Sequence, residues 1–185
     1  MAYTAFDRFV AWCRFRAARP HIRQDAQVCD IGCGLEARFL RWLGPRIRGG
    51  VGLDYQVSKR SNGAPVVFTD ITKGLPVKSA YFDHAVMLAV LEHLSDPEPV
   101  LAEAHRVIAP GGSLIMTWPN SAVDPILNVL HKVGAVSNEM ESEKHEQRVP
   151  LDKLQTMLRD VGFERFEHRT FELGLNNLMV AYKPE

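Results

Sequence analysis

Two glycines and two acids, Gly32, Gly34, Asp30 and Asp54, carry the most specific chemical signal in this chain. A short apolar run, Val28-Cys29-Asp30-Ile31, enters a bend at Gly32-Cys33-Gly34, and a second run, Val51-Gly52-Leu53, ends on Asp54 about twenty residues later. Glycines at the bend permit a tight turn and let backbone N–H groups approach a ligand closely. An acid at the end of the neighbouring strand can accept hydrogen bonds from both hydroxyls of a ribose. The bend alone is compatible with a plain strand-to-helix turn. Its coincidence with Asp54 points to a nucleoside-containing ligand.

Gly32, Gly34 and Ala37 also match the dinucleotide pattern G-x-G-x-x-G/A, so a nicotinamide cofactor is one alternative. Asp30 discriminates. A carboxylate just ahead of the bend repels a diphosphate resting there and suits a ligand that bears an ammonium group. At an effective dielectric of about 20, one charge pair about 4 Å apart is worth roughly 4 kcal/mol before desolvation. S-adenosylmethionine, with an ammonium beside its carboxylate, meets that requirement.

The elements that must position these residues follow from hydropathy patterning. Residues 4–19 read as a helix with Phe6, Phe9, Val10 and Cys13 on one face and Pro20 at its end. Strands are predicted at Val28–Ile31, Gly50–Leu53, Pro65–Phe68, Phe82–Leu88 and Ser113–Thr117, the last entered by a turn at Pro110-Gly111-Gly112. Helices are predicted at Glu36–Leu43, Pro97–Ile108, 123–136 and 151–161, with a polar stretch at 137–149. Two closing strands, 163–171 and 175–183, flank Gly174. This alternation predicts an α/β fold, a Rossmann-like three-layer sandwich on a mostly parallel seven-stranded sheet with an antiparallel strand near the C-terminus. Ligands in such sheets sit beyond the carboxyl ends of the strands, next to the first one.

A chain of 185 residues fits a single domain, 1–185, with 1–20 as an N-terminal helix that packs as a lid or against the sheet. No apolar run of about 18 residues exists to span a bilayer. The start of the chain is expected to lack a signal peptide, because Asp7, Arg8 and Arg14 interrupt its apolar stretch. Three cysteines, an odd count, then suit reduced thiols and a cytoplasmic location. Residues 1–60 carry eleven Lys/Arg against five Asp/Glu, and residues 61–185 eleven against seventeen, so a net charge of zero hides a dipole. A solvated dipolar surface accounts for this. Arg8, Arg14, Arg16 and Arg19 on the first helix also allow peripheral contact with an anionic membrane.

Asp30-Ile31-Gly32-Cys33-Gly34 resembles the first motif of class I S-adenosylmethionine-dependent methyltransferases. Val51-Gly52-Leu53-Asp54 resembles their ribose-binding acid, and Thr69-Asp70-Ile71 the loop that meets adenine. Phe82-Asp83-His84-Ala85-Val86 through Val90-Leu91-Glu92-His93-Leu94 is similar to the fourth-strand signature of the ubiquinone/menaquinone-type group. Leu101, Glu103, Arg106-Val107-Ile108 and Pro110-Gly111-Gly112 continue the pattern. The likeness covers residues 27–120 well and 145–183 loosely. It implies S-adenosylmethionine as cofactor, held by Asp30, Gly32, Cys33, Gly34, Asp54, Tyr55, Asp70, Ile71 and Leu88. Asp70 has a rival role as a turn or cap residue. Glu36 departs from the family, standing where a third glycine is usual, and is expected to lie outward in the first turn of a helix.

The acceptor is implied to be a small molecule, lipid- or sugar-linked if the first helix meets a membrane. His93, after the fourth strand, and His145, ahead of Arg148, are the candidate bases. Trp118, Asn120 and Arg148 are candidate acceptor contacts, with a core role as the rival for Trp118, and Asn176-Asn177 read equally as a reverse turn or as pocket amides. No metal is expected, because Ala89 replaces the first acid of a Glu-x-x-Glu-His pattern. Nucleic-acid acceptors are disfavoured, because the motifs used to methylate bases are missing. A monomer or homodimer is expected. A non-catalytic S-adenosylmethionine-binding protein and a nicotinamide oxidoreductase are the competing functions.

Overall fold

The computed structural model describes residues 5–56, 65–120 and 149–185. Strands β1 (Gln27–Ile31), β2 (Gly49–Asp54), β3 (Val66–Phe68), β4 (Phe82–Leu88), β5 (Ile108–Pro119), β6 (Arg165–Phe171) and β7 (Asn176–Tyr182) form one sheet in the order β3-β2-β1-β4-β5-β7-β6. Strands β1 to β5 pair in parallel, and β7 runs antiparallel to both of its neighbours. The expected reversed strand is therefore β7.

Central strands buried on both faces need continuous apolar runs, and β4 and β5 supply them with Ala85-Val86-Met87 and Leu114-Ile115-Met116. Helices α3 (Glu98–Val107) and α4 (Leu151–Asp160) cover one face, where Leu101, Leu154, Leu158 and Phe163 meet Leu114 and Met116. Helices α1 (Ala5–Ala18) and α2 (Arg38–Leu43) cover the other, where Ala18, Phe39 and Leu40 share a core with Val28, Ile115 and Val180. The link from β3 to β4 is tied down by α3. Arg106 donates to the carbonyls of Leu75 (2.8 Å) and Val77 (3.1 Å), and Glu103 accepts from Leu75 N (2.8 Å).

Three expectations change. Helix α2 begins at Arg38, because Ala37 ahead of it adopts a left-handed φ of 44°, so Glu36 stands outside the helix. Residues 110–112 form no separate turn; α3 passes at Val107 directly into β5, with a register shift opposite Phe82 and His84. The face of α1 that carries Phe9 is not buried: Phe9 is 56% and Trp12 43% exposed. Instead α1 buries Ala17 and Ala18 and rests Phe15 on Phe39 and Trp42. The helix predicted at 123–136 lies outside the described residues.

His84 is the buried hinge of polar contacts at the amino ends of the strands. Its Nε2 accepts from Arg23 N (3.1 Å), which leaves Nδ1–H to donate to Ser113 Oγ (2.9 Å). Burial, reinforced by the Arg23 charge, lowers its pKa from 6.5 to about 4, so the fold holds a neutral ring. That stabilisation is complete above the unfolded value and is lost as pH falls from 6.5 towards 4. Urea titrations across this window should show stability declining with acid, with a shallower slope in His84→Asn than in the parent.

Candidate functional site

β1 and β2 end side by side, with Ile31 opposite Leu53, so the bend at 32–34 meets the end of β2. Gly32 N and Cys33 N both donate to Leu53 O, at 2.8 and 3.2 Å. Gly34 N donates to Asp54 Oδ2 and Gln56 N to Asp54 Oδ1, each at 2.8 Å. The expectation that the bend offers its amides to a ligand is thereby corrected: all three are committed to β2. A diphosphate, which binds through such donors, finds none free along residues 32–34.

Close packing explains the residue types. Gly32 has φ +74°, and a Cβ there would lie 2.5 Å from Val90 Cγ2. A Cβ on Gly52 would meet Cys33 Sγ at 2.6 Å, so the Cys33 side chain fills the space over β2. Burial, then the neighbouring Asp30 and Asp54, push its thiol up, away from the reactive thiolate. Gly34, with φ +69°, has nothing within 4 Å of its Cβ position and marks the open side of the bend.

Asp30 is 2% exposed, and among the described residues its Oδ2 has no hydrogen-bond partner. Burial, and secondarily the charge of Asp54, raise its pKa from 3.8 to about 7. An orphaned carboxylate oxygen is costly. A cationic donor would satisfy it, and an ammonium ligand fits that need. Asp54, with both oxygens already bonded to backbone, keeps further lone pairs for ribose hydroxyls.

The other predicted residues are spread around this end of the sheet. Tyr55 follows β2 and is exposed, and Ile71 packs half-buried on the core. Leu88 ends β4, half-buried. Asp70 caps the 3-10 turn Ile71–Lys73: it accepts from Thr72 N (3.1 Å) and Thr72 Oγ1 (2.7 Å) and pairs with Lys73 (3.0 Å). Those contacts hold its carboxyl below the usual range. Glu36 is exposed and pairs with Arg41 (3.1 Å), clear of the bend, although the helix-dipole reason expected for it does not apply.

On the acceptor side, His93 is exposed on the turn Leu91–His93 that follows β4. Trp118 is buried in the core under α3 and α4 and stacks on His168, with ring centres 6.1 Å apart. Asn120 N donates to Leu175 O (2.7 Å). Asn176 and Asn177 are not a turn. They open β7 opposite Pro119 and Trp118, and the turn is formed by Glu172, Leu173 and Gly174. His145 and Arg148 lie outside the described residues. Sequence reasoning missed Val90, which fills the space against Gly32, Thr117, a buried polar group near the end of β5, and the half-buried Glu172 in the turn after β6. Thr117 alone left a trace, as the one polar residue in Leu114–Trp118. A cavity of about 860 Å³ opens at the opposite, amino end of the sheet between Gln27, Gly50 and Phe82, remote from these groups. Among the described residues no cluster of three or more His, Cys, Asp or Glu could hold a metal ion.

Comparison with known proteins gives a consistent picture. The family model described as a methyltransferase domain matches residues 4–168. The ubiquinone/menaquinone biosynthesis C-methyltransferase of Haemophilus ducreyi is 30% identical over 124 residues, covering 59% of this chain and 48% of that protein. Its counterpart from Escherichia coli O1:K1 / APEC is 25% identical over 126 residues, 60% of this chain and 50% of that protein. The chain thus spans about half the length of these relatives. An S-adenosylmethionine-dependent methyltransferase from Archaeoglobus fulgidus superposes with a TM-score of 0.69 at 18% identity, covering 95% of this chain and 94% of that one. Phosphoethanolamine N-methyltransferase 2 of Haemonchus contortus, solved with S-adenosylmethionine, superposes at 0.68 and 12% identity over 94% of this chain and 53% of that one. The structural likeness establishes the fold.

If Asp30 meets the ammonium of a bound nucleoside, binding is expected to depend on pH. Calorimetry should show affinity rising as pH increases through about 7, where Asp30 ionises. Asp30→Asn should lose at least about tenfold in affinity, the equivalent of 1.4 kcal/mol, and should lose that pH dependence. The raised folded pKa means the ligand-free parent loses stability as pH rises from 3.8 through about 7. The ligand-free variant should therefore melt higher than the parent at pH 8.

Proposed function

The chain belongs to the methyltransferase-domain family, and from that premise we propose that it transfers a methyl group from S-adenosylmethionine to a small-molecule acceptor. The observation that carries this reading is the buried, unpartnered Asp30 oxygen beside a bend whose amides are all committed. That combination favours an adenosyl cation over a dinucleotide.

When bound, the cofactor supplies an activated methyl carbon that a nucleophile attacks in line. The chain's own work is alignment and exclusion of water. Asp30 takes the ammonium of the methionine portion, and Asp54 takes the ribose hydroxyls while bracing the bend through Gly34 N. The open side of Gly34 accommodates the ligand's approach. Tyr55 and Ile71 flank the base and ribose, and Leu88 lies under the cofactor at the end of β4. Asp70 is assigned the adenine amino group as well as its capping role. For an acceptor that must lose a proton, His93 and His145 are the assigned bases; the exposure of His93 just after β4 supports the first. Asn120 and Arg148 are assigned to the acceptor side, whereas the burial of Trp118 under α3 and α4 gives it the core role. The outward Glu36 leaves the cofactor space uncrowded, which favours a working enzyme over a non-catalytic binder.

A lipid-linked acceptor is supported by α1 and α2. Arg8, Phe9, Trp12, Arg16 and Arg19 are all exposed, with Arg16 over the Trp12 ring (4.9 Å) and Arg19 over the Trp42 ring (5.9 Å). Interfacial helices combine aromatic and basic side chains in this way.

Isothermal calorimetry should detect S-adenosylmethionine and S-adenosylhomocysteine but not NAD, and Asp54→Ala should weaken both by at least about tenfold. Binding of NAD in place of the adenosyl ligands would overturn the assignment. Co-sedimentation with phosphatidylglycerol vesicles should occur at low salt and fall away at high salt or in Trp12→Ala/Arg16→Ala; no sedimentation at low salt removes the lipid-surface reading.

A further inference from the structure

We propose that a hydrogen-bond donor group of the acceptor, an amine in preference to an alcohol, docks on Thr117, Asn176 and Glu172 beneath α1. This rests on the methyl-transfer reading and names the chemistry of its second substrate. Side chains alternate along a strand. Ile115 and Leu178 belong to the core under α1 and α2, so Thr117 and Asn176, each two residues away, face the same layer. Thr117 pairs with Leu178 and Pro119 with Asn176. The two polar side chains are thus diagonal neighbours, roughly 7 Å apart by the spacing usual for such pairs. Thr117 also lies opposite Leu88, at the carboxyl end of β4 and on the ligand end of the sheet.

The turn from β6 to β7 brings in the third group. Glu172 and Leu173 both adopt left-handed backbone, at φ 51° and 57°, a conformation that costs non-glycine residues energy and concentrates at functional sites. That geometry folds the Glu172 carboxylate onto Asn176, whose Nδ2 donates to Glu172 Oε2. Burial, then the neighbouring Glu172, raise the pKa of the Cys13 thiol of α1, so the turn sits beside the helix above.

Three oxygens remain. Thr117 Oγ1, Asn176 Oδ1 and Glu172 Oε1 are buried and have no hydrogen-bond partner among the described residues. Thr117 is 0% and Asn176 4% exposed. Amide and carboxylate oxygens only accept, and a threonine hydroxyl both accepts and donates. Native structures leave few such groups unpaired, and three in one corner call for a donor that the described residues do not supply. Since one of the three is a carboxylate, a protonated amine gains a charge-assisted bond that an alcohol does not.

The test uses the full chain, labelled with ¹⁵N and saturated with S-adenosylhomocysteine, so that the cofactor's own ammonium is already in place. Propylamine, propanol and methyl propyl ether are titrated in turn while the Asn176 side-chain amide is followed by NMR. The amine should saturate the shift at the lowest concentration, the alcohol at least fivefold higher, and the ether should leave it unmoved. Thr117→Val, which removes an unpaired hydroxyl without changing shape, should melt higher than the parent, weaken the amine at least fivefold and keep its S-adenosylhomocysteine affinity within twofold. Glu172→Gln should bring amine and alcohol to equal affinity, and it decides the matter if Thr117→Val does not fold. An unmoved Asn176 amide, equal binding of amine and ether, or a Thr117→Val that melts lower with unchanged amine affinity overturns the proposal. Failure of the parent to bind S-adenosylhomocysteine sinks the methyl-transfer reading instead, and the amine series on the unsaturated chain still reads the cluster.

Discussion

The closure of the bend after β1 onto the end of β2 is the interaction on which the site depends. Two amides converge on one carbonyl, Leu53 O, and the third meets Asp54. Such a bend needs no ligand to hold its shape, and it has no donors left for one along residues 32–34. Everything that follows, from the left-handed glycines to the cysteine seated over Gly52, serves to bring two strand ends this close. The acid that ends β2 is therefore structural before it is a binding group. Asp54 fixes the bend with one oxygen and the chain after β2 with the other, and only what is left of its acceptor capacity is open to a ligand.

The same closure sets the electrostatics. With the bend's amides turned to β2, none of them offsets the buried charge of Asp30. The carboxyl is driven up towards neutral pH by burial and by Asp54. A site of this kind discriminates by what it lacks. An anion meets two acids and no free donor from the bend, whereas a cation relieves a cost that folding left standing. Desolvation, the usual objection to a buried charge pair, was already met when Asp30 folded into the sheet.

How far the sequence reveals this depends on the kind of signal. The mostly parallel sheet followed from apolar runs such as Ala85-Val86-Met87, buried on both faces, alternating with helical stretches; the strand order did not. The single reversed strand followed from the short link around Gly174. Local backbone exceptions were illegible: nothing in Glu36-Ala37-Arg38 announces the left-handed Ala37 that delays α2, and the extended path through Pro110-Gly111-Gly112 depends on its contact with the C-terminal strand end, where Gly111 N donates to Pro184 O (3.1 Å). The first helix misled because Phe9 and Trp12 keep a helical spacing while the sheet takes the smaller Ala17 and Ala18. At the site, residue types and positions could be read, but not the direction in which the amides point. That direction was decided by Leu53 O, a backbone atom with no sequence signature.

The two ends of the sheet handle buried polarity in opposite ways. At the amino ends, Asp83 accepts from Gln27 N (2.7 Å) and from Arg23 (2.7 Å), and His84 is satisfied by Ser113 and Arg23 N. These groups answer one another and tie β1, β4 and β5 together. At the carboxyl ends, on the face beneath α1 and α2, oxygens of Asp30, Thr117, Asn176 and Glu172 are buried with no partner among the described residues. A fold able to pair the acids and the histidine at one end is under no topological compulsion to leave the carboxylates at the other wanting. Local consistency fails where a sequence serves something besides stability. Here the unpaired oxygens of Asp30, Thr117, Asn176 and Glu172 sit on one face at one end, around the place where donor and acceptor of a methyl group would have to meet.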